Sequence, residues 1–186
     1  MDIKEFLPDL RKLIQGPLQT SMVDELLASV TKFCKESQII RQTSSAQDKD
    51  AGDELAIVSG EAGLVPWGVV SVYSDGKELV RGTDYLQDSR TKITFIKKSV
   101  GVTVTFWCYP TIADQLPDAL SGYIDAICSG AASNLFLYPS RPWFNAELAN
   151  YHSRAFVEGH RKAWREIASD QFGEFQNPNV NVSFWM

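Results

Sequence analysis

Val102-Thr103-Val104-Thr105-Phe106-Trp107-Cys108-Tyr109-Pro110 is the stretch that decides how this chain is divided. In an extended chain Val102, Val104 and Phe106 lie on one face and Thr103 and Thr105 on the other, the pattern of a half-buried antiparallel strand. Pro110 ends it. Moving toward the N-terminus, Ile93 to Ile96, Val69 to Tyr73 and Leu55-Ala56-Ile57-Val58 are short, rich in β-branched and aromatic residues, and separated by turn formers. They read as further strands. Asp75-Gly76, between Val72-Tyr73 and Leu79-Val80, marks a hairpin, because a type I′ turn needs positive φ at both central residues. Gln42 to Asp53 is polar and without period, and reads as a loop or linker.

On either side of this region the apolar period changes to that of helices. Asp2 to Gln15 reads as a short helix reopened at Pro8 and stopped by Gly16-Pro17. Ser21 is the expected cap of a longer helix with Asp24 and Glu25 in its first turn and Met22, Leu26, Val30, Phe33 and Cys34 along one face. Beyond Pro110, Leu116-Pro117-Asp118 opens a helix reaching about Tyr138, and Asn145 caps a last one reaching about Phe172. Gly122, Ala126 and Gly130 form a small-residue stripe on the first of these, and Ala155, Gly159 and Ala163 form one on the second. A glycine inside a helix costs about 1 kcal/mol relative to alanine, so close approach of another backbone is the expected compensation. The two helices are expected to form a tight antiparallel hairpin across the turn from Pro139 to Phe144.

The fold class expected is therefore α+β: an antiparallel helical bundle with an inserted antiparallel β-sheet or small barrel and an extended C-terminal tail. Residues 1–41 supply the N-terminal helices, 42–110 the β-rich insertion, 111–172 the helical hairpin and 173–186 the tail.

With 186 residues the chain is long enough for one substantial core, and 44% hydrophobic against 22% charged residues fits neither disorder nor a membrane protein. A net charge of -5 argues against a chain-wide grip on nucleic acid. The opening Met1-Asp2-Ile3-Lys4-Glu5 does not resemble a secretory signal, and no apolar run approaches the roughly 20 residues of a membrane span. Cys34, Cys108 and Cys128, an odd and scattered set, are expected as reduced core thiols.

The chain offers little chemistry. His152 and His160, eight positions apart on one helix, are separated by roughly 12 Å and cannot share a metal; they are expected to face solvent or an interface. Asp48-Lys49-Asp50-Ala51-Gly52-Asp53 has its glycine one place early for a calcium loop, and Ser59 stands where the closing Glu belongs. No phosphate loop, dinucleotide fingerprint or nucleophile elbow is present. Arg154, Arg161, Lys162 and Arg165 share the last helix with Glu147, Glu158, Glu166 and Asp170, and read as a solvated face. No catalytic residue, metal or cofactor is expected. A small metal-dependent hydrolase built on Asp118 and Asp125 remains an alternative; those residues share a helix face about 10 Å apart.

Two segments invite contact instead. Arg141-Pro142-Trp143-Phe144 places large aromatics on a stiffened turn, where Trp143 either caps its own helices or, with Arg141, Phe144 and Trp164, meets another subunit. In the tail, Phe175, Val180, Val182, Phe184, Trp185 and Met186 give an alternating apolar pattern. That pattern suits either folding back onto the chain's own core or strand addition to another subunit or a partner.

The order of these pieces resembles the head-to-tail adaptor (connector) proteins of tailed bacteriophages. The residues that carry the resemblance are Phe33-Cys34, Val72-Tyr73-Ser74-Asp75-Gly76-Lys77-Glu78-Leu79, Gly82-Thr83-Asp84-Tyr85, Leu116-Pro117-Asp118, Gly130-Ala131-Ala132, Arg141-Pro142-Trp143-Phe144-Asn145, Leu148-Ala149 and Phe156-Val157-Glu158-Gly159. The resemblance covers most of Ser21 to Ala168. It implies a structural virion protein at the neck, assembled in the host cytoplasm as a dodecameric ring beneath the portal protein. Its far side would meet a tail tube, nozzle or stopper protein, and DNA would pass through its channel without sequence-specific binding. A neck stopper or tail-completion protein is the alternative within that class.

Overall fold

A computed structural model describes residues 1–172. The first turn, a 3-10 segment over Ile3–Phe6, is held by a reciprocal cap in which Asp2 accepts from the Lys4 N–H and Glu5 from the Asp2 N–H. Helix α1 (Leu7–Leu13) follows with Pro8 in its first turn, where a missing N–H leaves no bond unmade. Helix α2 (Gln19–Ser37) begins before the expected cap: Leu18 holds the N-cap position without a side-chain bond and Ser21 lies inside the helix. Burial of Met22, Leu26, Val30, Phe33 and Cys34 carries the helix through the capping signal. Gln38, at φ 57, then turns the chain into the sheet.

Among the described residues eight antiparallel strands follow: β1 (Arg41–Thr43), β2 (Gln47–Lys49), β3 (Glu54–Ala56), β4 (Leu64–Ser74), β5 (Lys77–Glu78), β6 (Tyr85–Ser89), β7 (Lys92–Phe95) and β8 (Ser99–Pro110). Strand β8 is the spine of a curled sheet ordered β1-β8-β4-β5, with β2 also pairing to β8; a second sheet is ordered β3-β7-β6. The alternation seen in sequence is the observed one: Val102, Val104, Phe106 and Cys108 are buried, and Thr103, Thr105 and Trp107 are only half-buried. Asp75 and Gly76 take φ values of 47° and 76° in the hairpin that pairs Ser74 with Lys77. Residues 79 and 80 lie beyond the short β5.

One expectation needs correction, and one further strand is not visible in the sequence pattern. Gln42 to Asp53 is not simply a loop, because it contains most of β1 and all of β2, and Tyr85–Ser89 forms a strand that its polar composition hides. In both cases a neighbouring strand supplies the ladder, and pairing outweighs intrinsic preference.

After Pro110 a 3-10 turn (Asp118–Tyr123) leads into α3 (Ile124–Phe136), and α4 (Ala146–Phe172) returns. Asn145 caps α4 as expected, its side-chain oxygen accepting from the N–H groups of Glu147 and Leu148 at 3.0 Å each. The Ser133 hydroxyl donates to the Ala149 carbonyl, Gly130 meets Phe156 and Gly159 meets Ala126, so α3 and α4 run in opposite directions. A Cβ on Gly130 would lie 2.3 Å from the Ser29 hydroxyl, and one on Gly159 would lie 2.2 Å from the Cβ of Ala126. Ala163 is buried in the core as well, whereas Gly122 has open space around it and Ala155 is exposed.

One apolar core runs from α1 and α2 through the inner faces of both sheets to α3 and α4. The three cysteines lie in it unpaired, and burial pushes the thiols of Cys34 and Cys128 up to about 12 and that of Cys108 to about 11. Among the described residues no helix is long and apolar enough to cross a membrane.

Candidate functional site

The turn between α3 and α4 is tied back onto its own helices, the Asn145 N–H donating to the Phe136 carbonyl at 3.0 Å. The Trp143 indole N–H donates to the Leu135 carbonyl at 3.1 Å, and the ring lies against Gly16, where a Cβ would come within 2.7 Å of it. Trp143 is thus half-buried and ties its own helices to the loop between α1 and α2. Arg141 stands over the outer side of the same ring, 5.9 Å from its centroid. Phe144 has no such use and is 52% exposed.

Spacing then extends the exposed surface along α4. Leu148 and Tyr151 follow Phe144 at helical intervals and are 40% and 67% exposed, with Leu137 at the end of α3 also exposed. Sequence reasoning missed Leu148 and Tyr151 as surface groups, although their spacing from Phe144 was the available signal. The core edge of the same helix is Ala149, His152, Phe156 and Ala163. Trp164, 48% exposed, is 16 positions beyond Leu148, which at 3.6 residues per turn places it about 160° around the helix and about 24 Å along it. The helix and its entrance therefore carry an apolar cluster on one flank of the buried edge and a single exposed tryptophan on the other. The remaining candidates, Phe175, Val180, Val182, Phe184, Trp185 and Met186, lie outside the described residues.

His152 does not face solvent. It is buried, its ring stacks on Phe136 at 5.7 Å, its Nδ1 has no hydrogen-bond partner, and burial holds its pKa below the usual value. His160 is half-buried against Phe156. Glu25 is likewise more than a helix-start charge: it accepts from the Tyr138 hydroxyl at 2.6 Å and from Asn134 Nδ2 at 2.8 Å, tying α2 to α3. The basic groups of α4 are partly paired within the helix, Arg161 with Glu158 at 3.2 Å and Lys162 with Glu166 at 3.8 Å. Asp118 stands 3.5 Å from the terminal ammonium of Met1. Among the described residues no group of three or more His, Cys, Asp or Glu side chains is placed to hold a metal ion.

The β region holds a cavity of about 720 Å³ between the two sheets. Its floor is apolar, from Leu55, Ile57, Val104 and Phe106, and its rims are the edge strands β1 and β3. Among the described residues β1 pairs only with β8 and β3 only with β7. Ser59 crosses one end, donating to Gln42 Oε1 at 2.8 Å. Arg41, at the start of β1, donates from Nε to the Gln38 carbonyl, and its Nη1 is buried without a partner among the described residues. Burial lowers the Arg41 pKa from its ordinary value.

No protein-family model matches the sequence, and no curated protein matches it.

Proposed function

We propose that the protein is a head-to-tail adaptor of a tailed bacteriophage, a structural virion protein that forms a ring beneath the portal and joins capsid to tail around a DNA channel. In this reading α1 to α4 form an antiparallel bundle, the strands β1 to β8 are its insertion, and residues 173–186 are an extended docking tail. The order of the sequence pieces supports it.

The observation that carries the reading is the pair of unlike exposed surfaces along α4. A ring of identical subunits needs a heterologous contact, in which one surface of each copy meets a different surface of the next. Phe144, Leu148 and Tyr151 on one flank and Trp164 on the other offer two unlike surfaces on one rigid element. An apolar cluster on one flank and an exposed tryptophan on the other are unlike surfaces of the kind a heterologous contact can join. In the assembled ring the tail residues Phe175, Val180, Val182, Phe184, Trp185 and Met186 dock on a neighbouring subunit or the portal. The protein's net negative charge suits a channel through which phosphates must slide.

Light scattering coupled to size-exclusion chromatography, on the protein alone and mixed with the portal protein of the same virus, tests this. A portal-dependent ring is expected, and Phe144→Asp or Trp164→Asp should abolish it while circular dichroism stays unchanged. A protein that remains monomeric with the portal present refutes the reading.

A further inference from the structure

We propose that the groove between β1 and β3 is the docking site for residues Val180–Trp185 of the same chain, which enter it as an added strand.

The backbone of both rims is prepared for such a strand. Cys108 donates to the Ile40 carbonyl and Ser44 donates to that of Val104, so antiparallel alternation turns the N–H and C=O groups of Arg41, Thr43 and Ser45 away from β8. On the other rim Ile57 donates to Thr91 and Phe95 to Asp53, which turns the backbone groups of Glu54, Ala56 and Val58 away from β7. Among the described residues, two rows of outward-facing donors and acceptors thus border one cavity, the situation that strand addition resolves. Each rim is five residues long, about 17 Å at ~3.3 Å per residue, close to the span of the six-residue segment.

The side chains fit the same register. An extended Val180-Asn181-Val182-Ser183-Phe184 presents Val180, Val182 and Phe184 on one face and Asn181 and Ser183 on the other. The apolar face matches the floor of Leu55, Ile57, Val104 and Phe106, and the polar face matches an open mouth. Arg41 Nη1, buried and without an acceptor among the described residues, would find one in a carbonyl of the entering strand.

Part of the path from α4 to the groove is marked by contacts. The Tyr123 hydroxyl bonds Glu166, which places the last turns of α4 beside the 3-10 turn Asp118–Tyr123. Pro117 and Ala119, at the start of that turn, line a smaller cavity that shares Arg41, Gln42 and Glu61 with the groove. Residues 173–179 supply about 23 Å of extended chain for the remaining path. The docking is a property of the single chain and stands whether or not the ring does. Within the adaptor reading it is where the apolar tail is kept before a partner takes it.

The test uses the full-length protein carrying a photoreactive phenylalanine analogue at Phe184, irradiated when dilute and unassembled, as an equal mixture of light and heavy isotope copies. Crosslinks to residues 41–45 or 54–61 within one isotopic species are expected. Crosslinks that join light to heavy copies, that fall elsewhere, or that do not form overturn the proposal. Hydrogen exchange supplies a second reading: the amides of Thr43, Ser45, Ala56 and Val58 should exchange slowly in the native chain and at least about tenfold faster in full-length Val182→Asp. Equal exchange in the two proteins likewise overturns it.

Discussion

Gly159→Ala should destabilise the protein even though alanine is the better helix former. The new methyl carbon would stand 2.2 Å from the Cβ of Ala126, whereas ordinary contact begins at 3.4 Å, so α3 and α4 must separate locally by about 1.2 Å. Neither carbon can swing aside, because each is fixed to its backbone. Overpacking of this kind costs about 1–3 kcal/mol, and parting the seam also forfeits dispersion contacts on both sides. Against this stands a helix-propensity gain of about 1 kcal/mol. The expected net loss is about 1–2 kcal/mol, or a fall of about 0.5–1 M in the urea midpoint for a slope near 2 kcal/mol/M. The swap Ala126→Gly with Gly159→Ala moves the methyl across the seam and returns the propensity cost, so it should recover to within about 0.5 kcal/mol of the native protein. A Gly159→Ala midpoint at or above the native one, at unchanged slope, would refute the close-approach account of the two glycines.

Gly122→Ala makes the contrast: nothing stands within 4 Å of the new methyl, and calorimetry should show a gain of about 0.4–1 kcal/mol. Hydrogen bonding to Glu25, followed by burial, raises the Tyr138 hydroxyl to about 12. The corresponding stability is present below the unfolded value near 10 and lost as pH rises toward about 12, and spectrophotometric titration of Glu25→Gln should show this phenol returning toward its ordinary range. His152 has the opposite sign: burial depresses its folded pKa, so stability present above about 6.5 is lost as the pH falls below it, and His152→Phe should flatten that part of the stability profile measured by urea unfolding.

What could be read from the sequence is what local chemistry dictates. Asp75-Gly76 and Asn145 succeed because a type I′ turn and an N-cap need those residues at those positions, whatever surrounds them. The alternation from Val102 to Phe106 succeeds because period 2 with one apolar face has one economical interpretation. Close approach at Gly130 and Gly159 could be anticipated because an interior helical glycine is costly without a close neighbour. The failures are tertiary. Arg41–Thr43 and Gln47–Lys49 are strands because β8 offers them a ladder, and the groove they border was invisible while they read as loop. Ser21 loses its cap to the burial of the helix around it. His152 falls in step with Ala149, Phe156 and Ala163, a positional signal of burial that its polar residue type masks.

The small-residue seam and the two exposed surfaces are linked by geometry. A ring closes only if every copy meets the next at the same rotation, so the element that carries both contact surfaces must hold a fixed direction. In the proposed ring that element is α4, which is fixed by the Gly159 and Gly130 contacts, by the Ser133 bond to Ala149 and by the Trp143 tie at its entrance. A shift of about 1.2 Å at Gly159 lies between the two surfaces and would tilt one against the other. Gly159→Ala should then reduce ring formation by more than its stability loss explains, at temperatures where the variant is still fully folded, and the swap with Ala126→Gly should restore it. Phe144→Asp and Trp164→Asp should instead abolish the ring with little change in the urea midpoint, because neither side chain is buried in the single chain. The two classes of variant separate orientation from contact: if Gly159→Ala assembles as well as the native protein while less stable, the seam serves folding alone and the two surfaces tolerate a moving helix.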